Sequence, residues 1–519
     1  MQLRKEIMKP IKNIQYFAVA LIGLLLSTSC SQLLDEPLEN QQIADETDYS
    51  RTENMTLMLY GAYNELYNLQ WETFPLVSVR GDDIDVGGKG DQPLLAQVDS
   101  FRYDRNFWML NSAWLNLYSD LIHWQGAIEE IQKYQEAGAN QGTAQQYIAE
   151  VKVMQGYELL QLARLWGRIL IPRTAQPSDL FNVELSSFEE VMQHISTLMD
   201  EAIPMLPDVR PNQRTDVPGG ITRYTAQAVK ALANLELKNY PAVAQATDAI
   251  IGSGLFRLEE DYYQLFKIPG KLSNENLLEL QYSDYGTPTG TSNKYNWDFF
   301  GPGNWTPARS GAGGGWGFWE PSVKYIKFML DRGERERLQT TVLFTPAGIA
   351  DLKSDPAYAN LPDWISNITP EGDVFNNHPR YKFLSGKHYL PSTQLTTGRT
   401  AYGENKNFIC LRYAEVLLMH AEALVNGATS SVMTADAAVN AVRDRVGLGP
   451  LSGVSLDQVL AEKFAEFGAE WGVRFYDLVR YDRTAELSYG GRSYDASADR
   501  FFPYPLEQQG IIPQLNEGN

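Results

Sequence analysis

The chain has 519 residues, 44% of them hydrophobic and 21% charged, a globular balance that excludes wholesale disorder. Asp and Glu number 64 against 44 Lys and Arg, so the net charge of −20 repels a phosphate backbone and no nucleic-acid partner is expected. The histidines (His123, His194, His378, His388 and His420) include no HExxH pair, and Cys30 and Cys410 make neither a CxxC nor a disulfide framework. No cofactor is expected; a structural calcium is compatible with the sequence without being indicated by it.

Residues 1–29 read as a secretory signal peptide. Arg4, Lys5, Lys9 and Lys12 precede an apolar run from Tyr16 to Leu26, and Ser27, Thr28 and Ser29 lead to Cys30. The run is shorter than the roughly 20 residues a membrane span needs. A buried N-terminal helix is the alternative, but the charged flank favours export. Cys30 stands where a lipidated cysteine would, although Leu26 lies four residues before it, one more than usual. Acyl chains there would hold the protein on a membrane surface. Residues 30–50, with Pro37 and many polar side chains, form the lipidated tether, and 51–519 a single domain.

Within that domain, Met55, Leu59, Ala62, Tyr63 and Leu66 recur at helical steps from Thr52 onward. A second helix is expected over Trp108–Tyr134, and a third over Ala144–Trp166, ending at Gly167 and Pro172. A fourth runs from about Ser186 to Leu206. Thr222–Leu255 reads as a helical hairpin turning at Asn239, Tyr240 and Pro241, with Ala226, Ala231 and Ala233 small enough for close approach. Its length, about 34 residues, is that of a tetratricopeptide (TPR) unit, and Tyr413–Asn426 with Ala435–Val446 repeats the pattern. The expected fold is mainly α: a scaffold of TPR-like helical pairs over about 51–260 and 406–485, with little β. Between them, about 261–405 is rich in glycine, proline and aromatics, with one short helix near Pro321–Leu330. So long an irregular insertion is expected to face a ligand.

Two stretches supply candidate ligand-binding residues. The first carries Tyr295, Trp297, Asp298, Asn304, Trp305, Arg309, Trp316, Trp319 and Glu320. Four of the chain's 11 tryptophans fall within it, among glycines that give loops freedom. Indole rings stack on the apolar faces of sugars, while carboxylate, amide and guanidinium groups bind the hydroxyls. About half of these rings are expected to be structural, since aromatics bury readily. The second stretch is the loop Arg80–Lys89, where Asp82, Asp83 and Asp85 suit sugar hydroxyls or calcium, or else make a solvated turn. Trp71 and Trp364 are lesser candidates. His420 is read as a packing residue and Cys410 as a buried thiol.

The C-terminal third carries a family resemblance. Residues 407–423 (NFICLRYAEVLLMHAEA) resemble the LRYAEVLL…AEA signature of the SusD/RagB family. Asn440, Arg443, Gly447 and Leu448 follow its next stretch. Glu462, Glu466, Phe467, Glu470, Arg474, Asp477, Leu478 and Arg480 follow its ExxxEF…RxxDLxR helix, and Phe502–Pro505 its closing FPIP. Upstream, Ala149–Pro172, Arg223–Ala228 and Asn274–Leu280 also resemble family segments, so the likeness spans nearly the whole chain. Cys30 with Leu34, Asp35, Glu36 and Pro37 resembles the surface-export signal of Bacteroidetes lipoproteins. Two departures concern the scaffold. Lys463 stands where the family usually has Arg, and Glu470 lies one residue further than usual from Arg474, a helical turn that still permits an ion pair. The resemblance implies a surface-exposed outer-membrane lipoprotein with a TPR-like fold. Such a protein caps a SusC-like TonB-dependent transporter, captures oligosaccharides or occasionally peptides, and is not an enzyme.

A glycoside hydrolase would need two carboxylates about 5–9 Å apart across a cleft, and no motif nominates a pair. No serine or cysteine triad, P-loop or dinucleotide fingerprint is present. A peptide-binding uptake protein would favour a charged groove, whereas a glycan binder favours an exposed tryptophan platform.

Overall fold

The computed structural model describes residues 47–67, 73–86, 93–289, 297, 299–398 and 404–517. The signal segment, Cys30, most of the tether, Trp71, the end of the Arg80–Lys89 loop, Tyr295 and Asp298 lie outside them.

Helices α1 (Thr52–Glu65), α2 (Trp108–Glu136), α3 (Gln141–Trp166), α4 (Phe188–Ala202), α5 (Arg223–Glu236) and α6 (Tyr240–Gly252) pack in succession. Local chemistry sets their ends. The Asn140 side chain accepts from Thr143 N (3.0 Å) and starts α3, while Gly167, at φ 72°, stops it. Ser187 and Glu190 close a reciprocal capping box on α4. The hairpin turns at Asn239–Pro241 as the sequence indicates, and Ala226, Ala231 and Ala233 are buried where α5 meets its neighbours.

The array continues past the insertion. Helix α6 packs on α8 (Tyr413–Val425), which pairs with α9 (Ala435–Arg445) and then with α10 (Leu456–Phe467); α11 (Val473–Arg480) follows. Strands β2 (Asn276–Leu280) and β8 (Phe408–Arg412) bring the insertion's two ends together, antiparallel from Phe408 opposite Leu280 to Arg412 opposite Asn276. What they enclose is loop-rich, and α7 (Val323–Asp331) is the longest helix in it among the described residues. Short strand pairs organise the rest: β1 (Ile84–Val86) with β4 (Trp319–Pro321), β3 (Trp305–Thr306) with β6 (Val374–Phe375), and β5 (Val342–Phe344) with β7 (Phe383–Ser385).

The charged residues of the C-terminal motifs form a buried ion network beneath this junction. Arg412 donates to Glu275 (3.0 Å), Glu466 (2.5 Å) and both oxygens of Glu470 (2.7 and 3.0 Å). Arg337 binds Glu462 (2.6 Å), Lys463 bridges Glu422 and Asp477, and Arg480 binds the same two acids. Burial alone would raise the Glu466 carboxyl; Arg445, Arg412 and Arg337 outweigh it and hold it at about 2. The Glu470–Arg474 ion pair that the spacing permits does not form. Helix α10 ends at Phe467 and α11 begins at Val473, with Ala469 and Gly472 at positive φ in the break, so Glu470 turns to Arg412 and Lys387, and Arg474 to Asp82 and Glu486.

Candidate functional site

The acidic loop is internal. Asp82 is fully buried, accepting from Arg474 Nε (2.9 Å) and Lys324 Nζ (2.5 Å), and these cations hold its carboxyl low against the effect of burial. Asp83, also buried, accepts from the backbone N–H of Ala469 (2.9 Å); burial, then the Asp82 charge, push it up to about 7. Asp85 is half-buried, accepts from the Tyr489 hydroxyl (3.0 Å) and lies opposite Glu320 in the β1–β4 pair. Ser322 clamps the loop from the other strand, donating its hydroxyl to Asp82 O (2.6 Å) and its N–H to Asp83 O (2.8 Å). Asp82 and Asp83 therefore tie the insertion to the scaffold and face no ligand. The sequence carries no hint of Arg474 or Lys324 as their partners, which lie hundreds of residues away.

The tryptophan segment divides in two. Trp297 and Trp319 are buried and cannot be platforms. Trp297 packs with Phe375, Tyr381, Leu384 and Tyr389, and Trp319 meets Phe299 edge-on at 4.5 Å. Trp305 and Trp316 keep part of their surface in solvent. Each rests on buried rings. Trp305 lies nearly parallel to Phe375 (6.2 Å, 11°) and edge-on to Trp297 (5.9 Å). Trp316 meets Phe299 (5.8 Å) and Phe318 (5.6 Å). The glycines do not supply freedom here, contrary to the sequence reading. A Cβ on Gly315 would stand 2.2 Å from Trp297 O and 2.8 Å from Gly301 Cα, so these glycines allow two backbone runs to touch.

That contact places the two half-buried tryptophans on one rim. Gly315 N donates to Pro302 O (2.7 Å), and Gly303 N and Asn304 N both donate to the Tyr381 hydroxyl (2.9 Å each). Exposed Asn304 reaches Asn377 O with its amide (2.9 Å). Arg380 donates to Trp316 O (3.0 Å) and lies over Phe318 (4.8 Å), while His378 stacks on Tyr381 (4.7 Å, 15°). The rim therefore offers two indole surfaces with amide, imidazole and guanidinium groups among them. Asn377, His378 and Arg380 carry no sequence signal, because the β3–β6 pair and Tyr381 bring them in from some 75 residues downstream. Glu320 serves structure: one oxygen accepts from Lys382 N (2.8 Å) and Phe383 N (3.0 Å).

Arg309 is exposed but spends its guanidinium on the carbonyls of Leu395 (2.9 Å) and Thr393, and its N–H on Ser392 Oγ (2.9 Å). It pins the 392–398 stretch, whose Gly398 lies against Pro288 in the neighbouring turn. Tyr285, at φ 53° in that turn, is 84% exposed, a further aromatic that the sequence does not single out. Trp364 packs on the cluster around Tyr325. His420 is buried between the Thr247 hydroxyl (2.9 Å) and Met433 O (3.0 Å), a packing residue as expected. Burial pushes the Cys410 thiol up, leaving it unreactive.

Two other concavities differ in kind. One of about 30 Å³ is lined by Lys267, Lys387, Lys406 and His388, room for a water or two and not for a sugar. A groove of about 880 Å³ between α2, α3 and α4 is lined by Gln125, Gln132, Lys152, Gln155, Arg173 and His194.

The SusD family profile matches residues 274–510. A SusD-like protein of Bacteroides ovatus is 24% identical over 90% of this chain and 82% of its own length. SusD-like protein P2 of Formosa agariphila is also 24% identical, over 95% and 96%. Among solved structures, a laminarin-binding SusD-like protein superposes with a TM-score of 0.72 at 22% identity, covering 88% of this chain and 97% of its own. Surface glycan-binding protein A from Bacteroides thetaiotaomicron, in complex with laminarihexaose, gives 0.71 at 21% identity, covering 90% and 99%.

Proposed function

We propose that the chain is a member of the SusD family, whose profile matches residues 274–510, and that it captures oligosaccharide at the cell surface, using the rim of Trp305 and Trp316 as its stacking platform. One observation carries this reading: both indoles keep solvent-facing surface while resting on buried aromatics, with Asn304, Asn377 and Arg380 beside them. A ring held from behind loses little freedom when a sugar stacks on it, so it binds at small entropic cost. Two relatives of the same fold are named for laminarin and laminarihexaose, which makes β-glucan oligosaccharides the first ligands to try.

In this reading the protein is not an enzyme. Lipid on Cys30 anchors it to the outer membrane, facing outward, and it delivers its ligand to a SusC-like TonB-dependent transporter. No helix among the described residues is long and apolar enough to cross a membrane. The test is a glycan array with the purified protein, followed by calorimetry on each hit. Binding that weakens in Trp305→Ala or Trp316→Ala supports the reading; an array with no hit sinks it. The polar groove along α2 to α4 favours a second reading, capture of a peptide. Peptide binding that survives both tryptophan changes but fails in Lys152→Ala would select it.

A further inference from the structure

Helices α1, α2 and α3 bring three possible metal ligands to one place, with a buried carboxylate beside them. Trp124 Nε1 on α2 donates to Ala62 O on α1 (2.8 Å), and Gln155 on α3 faces Gln125 on α2 (3.5 Å). About one turn along from these contacts stand Glu65 on α1, Asp120 on α2 and Glu158 on α3, with His123 next to Trp124 on α2. Among the described residues, Glu65, Asp120 and His123 each offer a donor atom, all within 4.8 Å of one another. His123 Nδ1 lies 3.5 Å from Glu65 Oε1. Asp120 is buried, Glu65 half-buried and His123 exposed, so the cluster opens to solvent on the imidazole side.

Glu158 supplies an independent observation. It is fully buried, and neither carboxylate oxygen has a hydrogen-bond partner. Buried polar atoms are rarely left so, and each exception needs a cause. The charges that act on it are those of Asp120 and Glu65, both negative. Burial, then these two acids, push its carboxyl well above the usual range. A divalent cation among them would satisfy the oxygens and cancel the repulsion.

We propose that Glu65, Asp120, His123 and Glu158 bind a divalent transition-metal ion of the zinc or manganese class, which fastens α1, α2 and α3 to one another. The imidazole sets the class, since calcium and magnesium sites are built from oxygen donors. Ligands at about 2.0–2.2 Å from one ion stand at most about 4.4 Å apart. The 4.8 Å spread of the Glu65, Asp120 and His123 donors therefore closes with a shift of a few tenths of an ångström, and Glu158 joins as the buried carboxylate that their charges already act on. The site lies in the helical array, away from the aromatic rim, and its role is to hold in place the first helix after the tether.

The experiment strips the purified protein with a chelator, then titrates it separately with ZnCl2, MnCl2 and CaCl2, following heat and melting temperature. One equivalent of zinc or manganese should bind and raise the melting temperature. His123→Ala and Glu158→Gln should each weaken that binding by at least about ten-fold. Glu158→Gln without metal should melt no lower than the parent, because it removes a buried acid. If that variant fails to fold, exposed His123→Ala carries the test. No uptake by the stripped protein, uptake unchanged in the variants, or uptake of calcium alone with no effect of His123→Ala would each overturn the proposal.

Discussion

Strands β1 and β4 lie side by side, yet the segments they belong to treat side chains suited to sugars differently. Just before β1, Asp82 is held by Arg474 and Lys324 and Asp83 by the Ala469 N–H, and both acids are buried away from any sugar. Along the run into β4, Trp297 and Trp319 are buried while Trp305 and Trp316 remain partly open. The residue types suited to sugars are also good rivets. What separates the two roles is whether the fold supplies enough partners to cover them.

Breaking the riveted side should cost most. Asp82→Ala leaves Arg474 and Lys324 without their shared carboxylate and should destabilise by about 3–5 kcal/mol, the usual effect of removing one member of a buried pair. Trp297→Ala and Trp319→Ala empty fully buried sites and should cost a similar ~3–5 kcal/mol. Urea unfolding of the three variants checks this. If any one unfolds at the parental midpoint, that side chain is not the rivet described here.

A pH series separates the scaffold from the acidic loop. Glu466 is held at about 2 against the usual 4.5, so its stabilisation is full above 4.5 and fades as pH falls toward 2. That one shift corresponds to about 3 kcal/mol, and Glu462, Glu470 and Asp477 are lowered in the same direction. Asp83 has the opposite sign: raised to about 7, it costs stability as pH climbs from 4 through 7. Stability should therefore collapse between pH 4.5 and 2. A curve flat across that interval would contradict the buried ion network.

The helical scaffold is legible in the sequence because its signals are local. The apolar stripe of α3 and Gly167 after it lie within one segment, and the sequence reading from Ala144 missed only the first turn, which Asn140 caps. The site is less legible because its geometry is not local. Whether Trp297 is covered depends on Phe375 and Tyr389, and whether Trp305 is open depends on where β6 pairs. The Glu470–Arg474 pair misleads for a related reason: a four-residue spacing means contact only within one helix, and α10 stops at Phe467 while α11 starts at Val473. Asp120 and His123 share a helix face at a spacing of three, which is visible in the sequence, but Glu65 and Glu158 join them only through helix packing.

The smallest structural effect should accompany the largest functional one. Trp305→Ala and Trp316→Ala remove rings that already keep part of their surface in water, so less burial is lost than at Trp297 or Trp319. Phe375 beneath Trp305, and Phe299 and Phe318 beneath Trp316, stay packed with their other neighbours. Melting temperature should therefore fall much less than for the buried pair. Ligand affinity should fall by roughly 1–2 kcal/mol per ring, about ten-fold, because a stacking face is lost outright. Calorimetry with whichever glycan binds, paired with a melt for each variant, reads both quantities. Affinity unchanged in both variants moves the site off this rim, with exposed Tyr285 the next aromatic to test. Affinity lost together with folding would instead show that these two rings belong with Trp297 and Trp319, and that the division drawn between the two pairs is wrong.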